Sequence, residues 1–180
     1  MRLNKTSIGH SLLAAALLSG CNEVTVEPVT TGATVCQEYY EACVDSVLTE
    51  PFAASATGLT VTCAGEGCHN VDNGAGGTFK LFPRAAGGSL EMTANFISAK
   101  AFVNVGDPAM SKILLEPLAG SPSIVGSHSG GDIFADPNDH HYQELYYWIS
   151  NPQASTTESC PQLDHFPNDA SRRCLADPVP

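Results

Sequence analysis

Basic residues are scarce in this sequence, which has 8 Lys and Arg against 19 Asp and Glu and a formal net charge of −11. A chain this acidic repels the phosphates of nucleic acids and the anionic headgroups of membranes, which argues against both as binding partners. The same charge favours either docking of a basic protein or simple solubility of an exported surface.

Motifs of the common enzyme classes are also missing. The sequence shows no nucleophile elbow, no phosphate-binding loop and no carboxylate pair arranged for acid–base catalysis. Asp132, Asp136 and Asp139 are spaced as turn and helix-cap residues rather than as a calcium loop. We therefore predict that the protein is not an enzyme.

Long apolar runs are limited to the amino terminus. Arg2 and Lys5 precede the apolar segment 8–18, which leads into Leu18-Ser19-Gly20-Cys21. This segment is shorter than the about 20 residues that span a bilayer, and it resembles a bacterial lipoprotein signal peptide. The resemblance implies cleavage before Cys21, a lipid anchor on Cys21 and export to the cell envelope. Asn22 is not the aspartate typical of inner-membrane retention, which favours the outer membrane.

The most informative motif is Cys63-Ala-Gly-Glu-Gly-Cys68-His69, which occurs once. Covalent haem attachment needs two thiols, which form thioethers with the vinyl groups, and a histidine next to the second thiol to reach the iron. The common form of this motif has two residues between the cysteines, and this one has four. Gly65 and Gly67 make the longer loop easy to bend. The motif predicts one covalently bound haem c.

Two other interpretations of the motif remain open. Cys63 and Cys68 can form a disulfide, which would make the protein a non-haem, disulfide-stapled binding or structural lipoprotein of the envelope. Alternatively, both thiols and His69 can hold a metal ion, but structural zinc needs four ligands and no second cysteine–histidine pair of suitable spacing is present.

Four cysteines remain as disulfide candidates once Cys21 and the motif are set aside: Cys36, Cys43, Cys160 and Cys174. If Cys36 and Cys43 share one helix, their Cα atoms lie about 10 Å apart, beyond the roughly 7 Å limit for bridging. They would then pair with Cys160 and Cys174. If the helix starts after Cys36, a Cys36–Cys43 bridge and a Cys160–Cys174 bridge are equally allowed, so the connectivity stays open.

Helical periodicity indicates a mostly α fold with long loops. Apolar residues recur at three- and four-residue intervals in 35–48 and after Asp136-Pro137, which supplies an N-cap acceptor and a first-turn proline. Further helices are predicted at 90–102 and from Asp107-Pro108 onward. The first and last helices are expected to pack on each other. Glycine-rich loops separate the helices at 74–77, 87–88 and 126–131.

Several weaker motifs occur before, within and after the haem motif in a particular order. They are Cys43-Val-Asp-Ser-Val-Leu48, Gly67-Cys68-His69, Gly76-Gly77-Thr-Phe79-Lys-Leu81, Phe102-Val-Asn-Val105, Gly106-Asp107-Pro108 with Ser111 and Leu114-Leu115, His128-Ser-Gly130-Gly131 with Phe134, and Tyr142 with Leu145 and Trp148-Ile149. Together they resemble the single-haem cytochrome c-like domains of exported bacterial proteins. The resemblance implies a small helical domain whose first and last helices cross, with haem between them and the loops. It also implies electron transfer.

The second axial ligand is sought among His128, Met110, Met92, His140 and His141. His128 lies in the glycine-rich loop where the family has its histidine-glycine-glycine run, and we predict that His69 and His128 bind the iron. Met110 is the alternative ligand, but its spacing from Ile113 is typical of a core residue, as is the setting of Met92. His140 and His141 fall in the first turn of a helix, which favours a solvated or capping role. Two histidine ligands predict a lower reduction potential than a His/Met pair.

Two partners are expected from this interpretation. A redox protein, which the acidic surface predicts to be basic, exchanges electrons with the domain, and the membrane holds the chain through the lipid anchor. The chain is expected to have four parts. The parts are a signal peptide at 1–20, a tether at 21–34, a cytochrome c-like domain at 35–152 and a cysteine-containing tail at 153–180.

Overall fold

The computed structural model describes residues 32–121 and 128–154, together with Cys160 and Cys174. All of them fall within one unit of the chain, Thr31–Pro180. The predicted signal peptide, Cys21 and most of the tether and tail lie outside the described residues. Within those residues, no helix combines the length and apolar character that a bilayer crossing requires.

Regular structure in this part of the chain consists of short helices and one β-ribbon. Helix α1 comprises three consecutive pieces, Gln37–Tyr39, the π-helical turn Tyr40–Val44 and Asp45–Thr49; then come β1 Phe52–Ala53, β2 Thr60–Val61, α2 Leu90–Lys100, a 3₁₀ turn at Pro108–Met110, α3 Lys112–Leu115 and α4 His140–Ser150. Strand β1 pairs antiparallel with β2, with Phe52 opposite Val61. Most described residues lie in loops. The expectation of helices joined by long loops is confirmed, but the fold is not plainly all-α.

The first and last helices pack on each other as expected. Tyr39, Tyr40 and Trp148 are fully buried between them, and the rings of Tyr40 and Trp148 lie 5.4 Å apart. The indole Nε1 of Trp148 donates a hydrogen bond of 2.8 Å to the carbonyl of Cys36. Buried aromatic side chains with a satisfied polar group contribute strongly to such a contact.

A second contact joins the two ends of this domain. Thr34 and Gln153 form an isolated antiparallel bridge, with Thr34 N donating to Gln153 O at 2.9 Å and Gln153 N donating to Thr34 O at 2.7 Å. The chain therefore enters and leaves the helical part of the fold at the same place.

Two disulfides attach the tail to α1. Cys36 is bonded to Cys160 and Cys43 to Cys174, with Cα separations of 5.8 and 5.2 Å. Cys36 is also the N-cap of α1, since its Sγ accepts a hydrogen bond from Tyr39 N. Of the two connectivities that the sequence allowed, the structure has the one that links the helix to the tail.

The start of α4 differs from the prediction. Asp139, not Asp136, is the N-cap, because its carboxylate accepts the amides of His141 at 2.8 Å and Tyr142 at 3.1 Å. Asp136 instead accepts the amide of Asn138 in the preceding turn. Pro137 belongs to that turn, so the Asp-Pro signal marks a turn that precedes the helix.

The helix predicted from Asp107-Pro108 is broken at Ser111. Ser111 has an extended backbone, with φ −68° and ψ 129°, and its buried hydroxyl accepts a hydrogen bond from Asn104 N at 2.9 Å. This local side-chain bond competes with helix continuation. Met110 is 57% exposed as a result, so its predicted core position is wrong, whereas Met92 is buried as expected.

A buried polar network fixes α2 against α1. Asp45 is 5% exposed, and its carboxylate accepts hydrogen bonds from Tyr40 Oη at 3.1 Å and Asn95 Nδ2 at 3.0 Å. Asn95 also holds Phe82, accepting from its amide at 2.7 Å and donating to its carbonyl at 2.9 Å. The network thus positions the chain that follows the cysteine motif.

Candidate functional site

A cavity of about 520 Å³ opens between α1, α3, α4 and the loops that carry the cysteine motif and His128. Its volume falls in the range typical of small-molecule and cofactor sites. The interior is apolar, and its buried lining residues are Leu48, Phe79, Ile113, Ile133, Phe134 and Leu145. Such a cavity suits a largely apolar ligand.

All four side chains predicted to bind the cofactor line this cavity. Cys63, Cys68 and His69 come from the motif, and His128 approaches from a loop 59 positions further along the chain. The motif loop is closed by its own backbone, since His69 N donates to Cys63 O at 2.9 Å and Cys68 N to Gly65 O at 3.0 Å. Gly67 has φ +73°, which glycine adopts without strain.

The imidazole of His69 is oriented by the backbone. Its Nδ1 lies 3.0 Å from the carbonyl oxygen of Phe79 and donates to it, which leaves the lone pair of Nε2 available. Gly76 packs directly against the ring, and a Cβ atom there would collide with Nδ1. Burial lowers the pKa of His69, and the nearby His128 lowers it further, although the Phe79 carbonyl opposes both effects. His69 is therefore held neutral, as metal ligation requires.

The imidazole of His128 has a matching environment. Its Nδ1 lies 3.0 Å from the carbonyl oxygen of Gly131, again leaving Nε2 as the second nitrogen. A Cβ atom on Gly130 would lie 2.9 Å from the ring carbon Cε1, so a side chain at this position would shift the ring. Both histidines thus have the donor arrangement that is usual for metal-bound imidazoles.

The two imidazoles are separated by 6.0 Å between ring centroids, and their planes are inclined by 19°. When two imidazoles bind one metal from opposite sides through bonds of about 2.0 Å, their centroids lie roughly 6 Å apart. The centroid separation therefore matches the value expected for two imidazoles that share one metal ion.

Cys63 and Cys68 are free thiols in this structure. Burial, with a smaller contribution from the neighbouring Cys68, raises the pKa of Cys63 to about 12, so that the Cys63 thiol stays protonated at neutral pH. The disulfide that the sequence allowed between them is not formed.

The four donors are too dispersed for one small metal ion. Among the described residues, three ligand atoms close enough to share one ion occur only in two other groups, Cys36 with Glu38 and Cys160, and Asp139 with His140 and His141. The first group includes a disulfide. The cavity donors therefore suit a larger group that meets thiols and imidazoles at separate points, as haem does.

The other candidate ligands lie elsewhere. Met110 is exposed and does not line the cavity, and Met92 is buried in the core. His140 and His141 occupy the first turn of α4, as predicted, and neither lines the cavity.

Sequence reasoning missed three contributors to the site: the Phe79 carbonyl, the Gly131 carbonyl and Lys112. The carbonyls belong to the backbone and leave no mark in residue type. Lys112 lines the cavity through the position of α3. Only the packing of the short helix brings it there.

Comparison with protein-family models, with curated proteins and with solved structures found no match for this chain.

Proposed function

We propose that the protein is a c-type cytochrome that carries one covalently bound haem and transfers electrons. The observation that carries this proposal is the convergence of two free thiols and two carbonyl-oriented imidazoles on one apolar cavity. The 6.0 Å separation of the imidazoles supports ligation of one iron by both.

Each residue has a distinct role in this proposal. Cys63 and Cys68 each add an S–H group across a vinyl double bond, which forms a thioether without net oxidation. His69 and His128 bind the iron through Nε2, while Phe79 and Gly131 keep their Nδ1 atoms protonated. Haem, when bound, supplies a reversible one-electron couple, and the apolar lining excludes water from it.

Electron transfer fits this cavity better than turnover of a substrate. Ligation by both histidines leaves no coordination position for a substrate, and two imidazoles favour a lower reduction potential than a His/Met pair. We propose, from the sequence, that the domain is an exported lipoprotein anchored through Cys21 and that its electrons pass to and from a basic redox protein.

The test is the absorption spectrum of the full chain produced together with a cytochrome c maturation system, recorded oxidised and after dithionite reduction. We expect a sharp reduced α-band that stays with the polypeptide after denaturation. The matched control is the double variant Cys63→Ala/Cys68→Ala, which should lose colour on denaturation. A colourless, folded wild-type protein would instead favour the disulfide-stapled binding or structural lipoprotein.

A further inference from the structure

Few charged side chains line the cavity. Among its lining residues, Lys112 is the only lysine or arginine and Glu116 the only acid. No hydrogen bond or ion pair engages the Lys112 ammonium anywhere in the described part of the chain. An unpaired cation beside an apolar cavity is available to an anionic group of whatever fills that cavity.

Lys112 lies at the mouth of the cavity. It is exposed, like Gly67, Gly77 and Ser129 along the same rim, whereas the apolar interior is buried. A ligand with an apolar body and charged substituents would place the body inside and the charges at this rim, because burying an unpaired carboxylate is costly.

The backbone beneath Lys112 is well anchored. Ile113 N donates to Phe102 O at 3.3 Å, and Ile113 and Leu114 are buried. Glu116 follows one helical turn later, with its amide bonded to Lys112 O at 3.0 Å. The negative charge of Glu116 repels a ligand carboxylate placed next to it. An anionic group of the ligand is therefore favoured at Lys112.

We propose that Lys112 is an anion subsite of the cavity and pairs with a propionate carboxylate of the haem. This inference rests on the proposed function, because it takes haem as the occupant. Lys112 is then a positioning residue: its ammonium adds a charge pair to the porphyrin orientation that the thioethers of Cys63 and Cys68 already determine. Its positive charge also stabilises the reduced, less positive iron.

The test compares haem with its dimethyl ester, which lacks charged propionates. The full chain in a Cys63→Ala/Cys68→Ala background is titrated with each ferric porphyrin, and binding is followed by absorption. Lys112→Gln should weaken binding of haem about two- to ten-fold and leave binding of the ester unchanged. Lys112→Arg should retain most of the affinity, and Lys100→Gln, an equal charge change on α2, should have no effect.

The outcomes separate this inference from the proposed function. Equal weakening of both porphyrins, or no weakening of either, would overturn the role of Lys112. In the covalent protein, Lys112→Gln should also lower the reduction potential, and an unchanged potential would count against the pairing. If the double-cysteine background binds neither porphyrin and the wild-type chain stays colourless, the proposed function fails, and the inference fails with it.

Discussion

Two glycines determine where the imidazoles of the site can lie. Gly76 leaves room for the ring of His69, and Gly130 does the same for His128. In each case the neighbouring atoms are those of the histidine ring itself, so any side chain on the glycine must displace the proposed ligand.

Gly76→Ala should therefore impair the site. The added methyl overlaps the His69 ring, and we expect the variant to incorporate less haem and to lose about 1–3 kcal/mol of unfolding free energy. Haem content per chain and urea unfolding measure the two effects. Gly87→Ala is the control, because its Cβ would meet only Glu41 Oε2 at 3.9 Å. Equal haem content in both variants would contradict the role of Gly76.

His128→Met should keep the covalent haem while changing its spectrum and raising its reduction potential, since thioether ligation raises the potential. Spectroelectrochemical titration measures both. His140→Met, on an exposed residue outside the cavity, should change neither. An unchanged spectrum in His128→Met would remove His128 from the iron.

At this scale the sequence was informative wherever chemistry depends on residue type. Cys63, Cys68 and His69 were predicted from their kind and spacing, and His128 from its glycine-rich loop and the family resemblance; all four line one cavity. The carbonyl partners could not be found, because every residue has a carbonyl and only the fold selects Phe79 and Gly131.

Helix α1 carries two buried phenols whose ionisation opposes folding. Burial raises the pKa of Tyr39 and Tyr40 far above the ordinary value, with Glu144 and Asp45, respectively, adding to the effect. Because both folded-state pKa values are raised, the stability that the neutral phenols confer is present below about pH 10 and is lost as pH rises above it.

Tyr40→Phe should make the free energy of unfolding decrease less steeply with pH at alkaline pH. Each buried tyrosine contributes a slope of about 1.4 kcal/mol per pH unit above pH 10, so removing one should reduce the slope by that amount. Urea unfolding between pH 8 and 11 measures it. The variant should be less stable at neutral pH, because the Tyr40 bond to Asp45 is lost. If the free energy of unfolding had the same pH dependence in the wild type and in Tyr40→Phe, the raised pKa of Tyr40 would be contradicted.

Among the elements, periodicity located α1, α2 and α4 but not their boundaries or the break at Ser111. A repeating apolar face reports burial, which 35–48 and 90–102 both show. Boundaries depend on single hydrogen bonds, such as that between Ser111 Oγ and Asn104 N, whose partner comes from a separate loop. Asp136 and Asp139 are both residue types that cap helices. Asp136 is used in the turn before α4, so Asp139 becomes the N-cap.

At the largest scale, two long-range crosslinks tie the domain to its tail, spanning sequence separations of 124 and 131 residues. Loops of this length lose much conformational freedom in the unfolded chain when they are closed. Sequence composition predicted two disulfides but not their pairing. Helix α1 begins directly after Cys36, a start for which the sequence left both pairings open, so the position of the tail decides.

Cys43→Ala/Cys174→Ala should lower the free energy of unfolding by about 2–5 kcal/mol while leaving the haem spectrum unchanged. The cavity residues are not bonded to this crosslink, which lies on α1 and the tail. Thermal unfolding under oxidising conditions measures the first effect and absorption the second. An unaltered midpoint would contradict a stabilising role for the bridge.

The antiparallel bridge between Thr34 and Gln153 also determines how the domain responds to a mechanical pull. A force applied to the chain ahead of Thr34 meets two backbone hydrogen bonds and then, two residues later, the Cys36–Cys160 bond. The load therefore passes from the incoming chain into the tail across a covalent link. The loops that hold His69 and His128 lie outside that load path, so tension on the proposed anchor should leave the arrangement of these two imidazoles undisturbed.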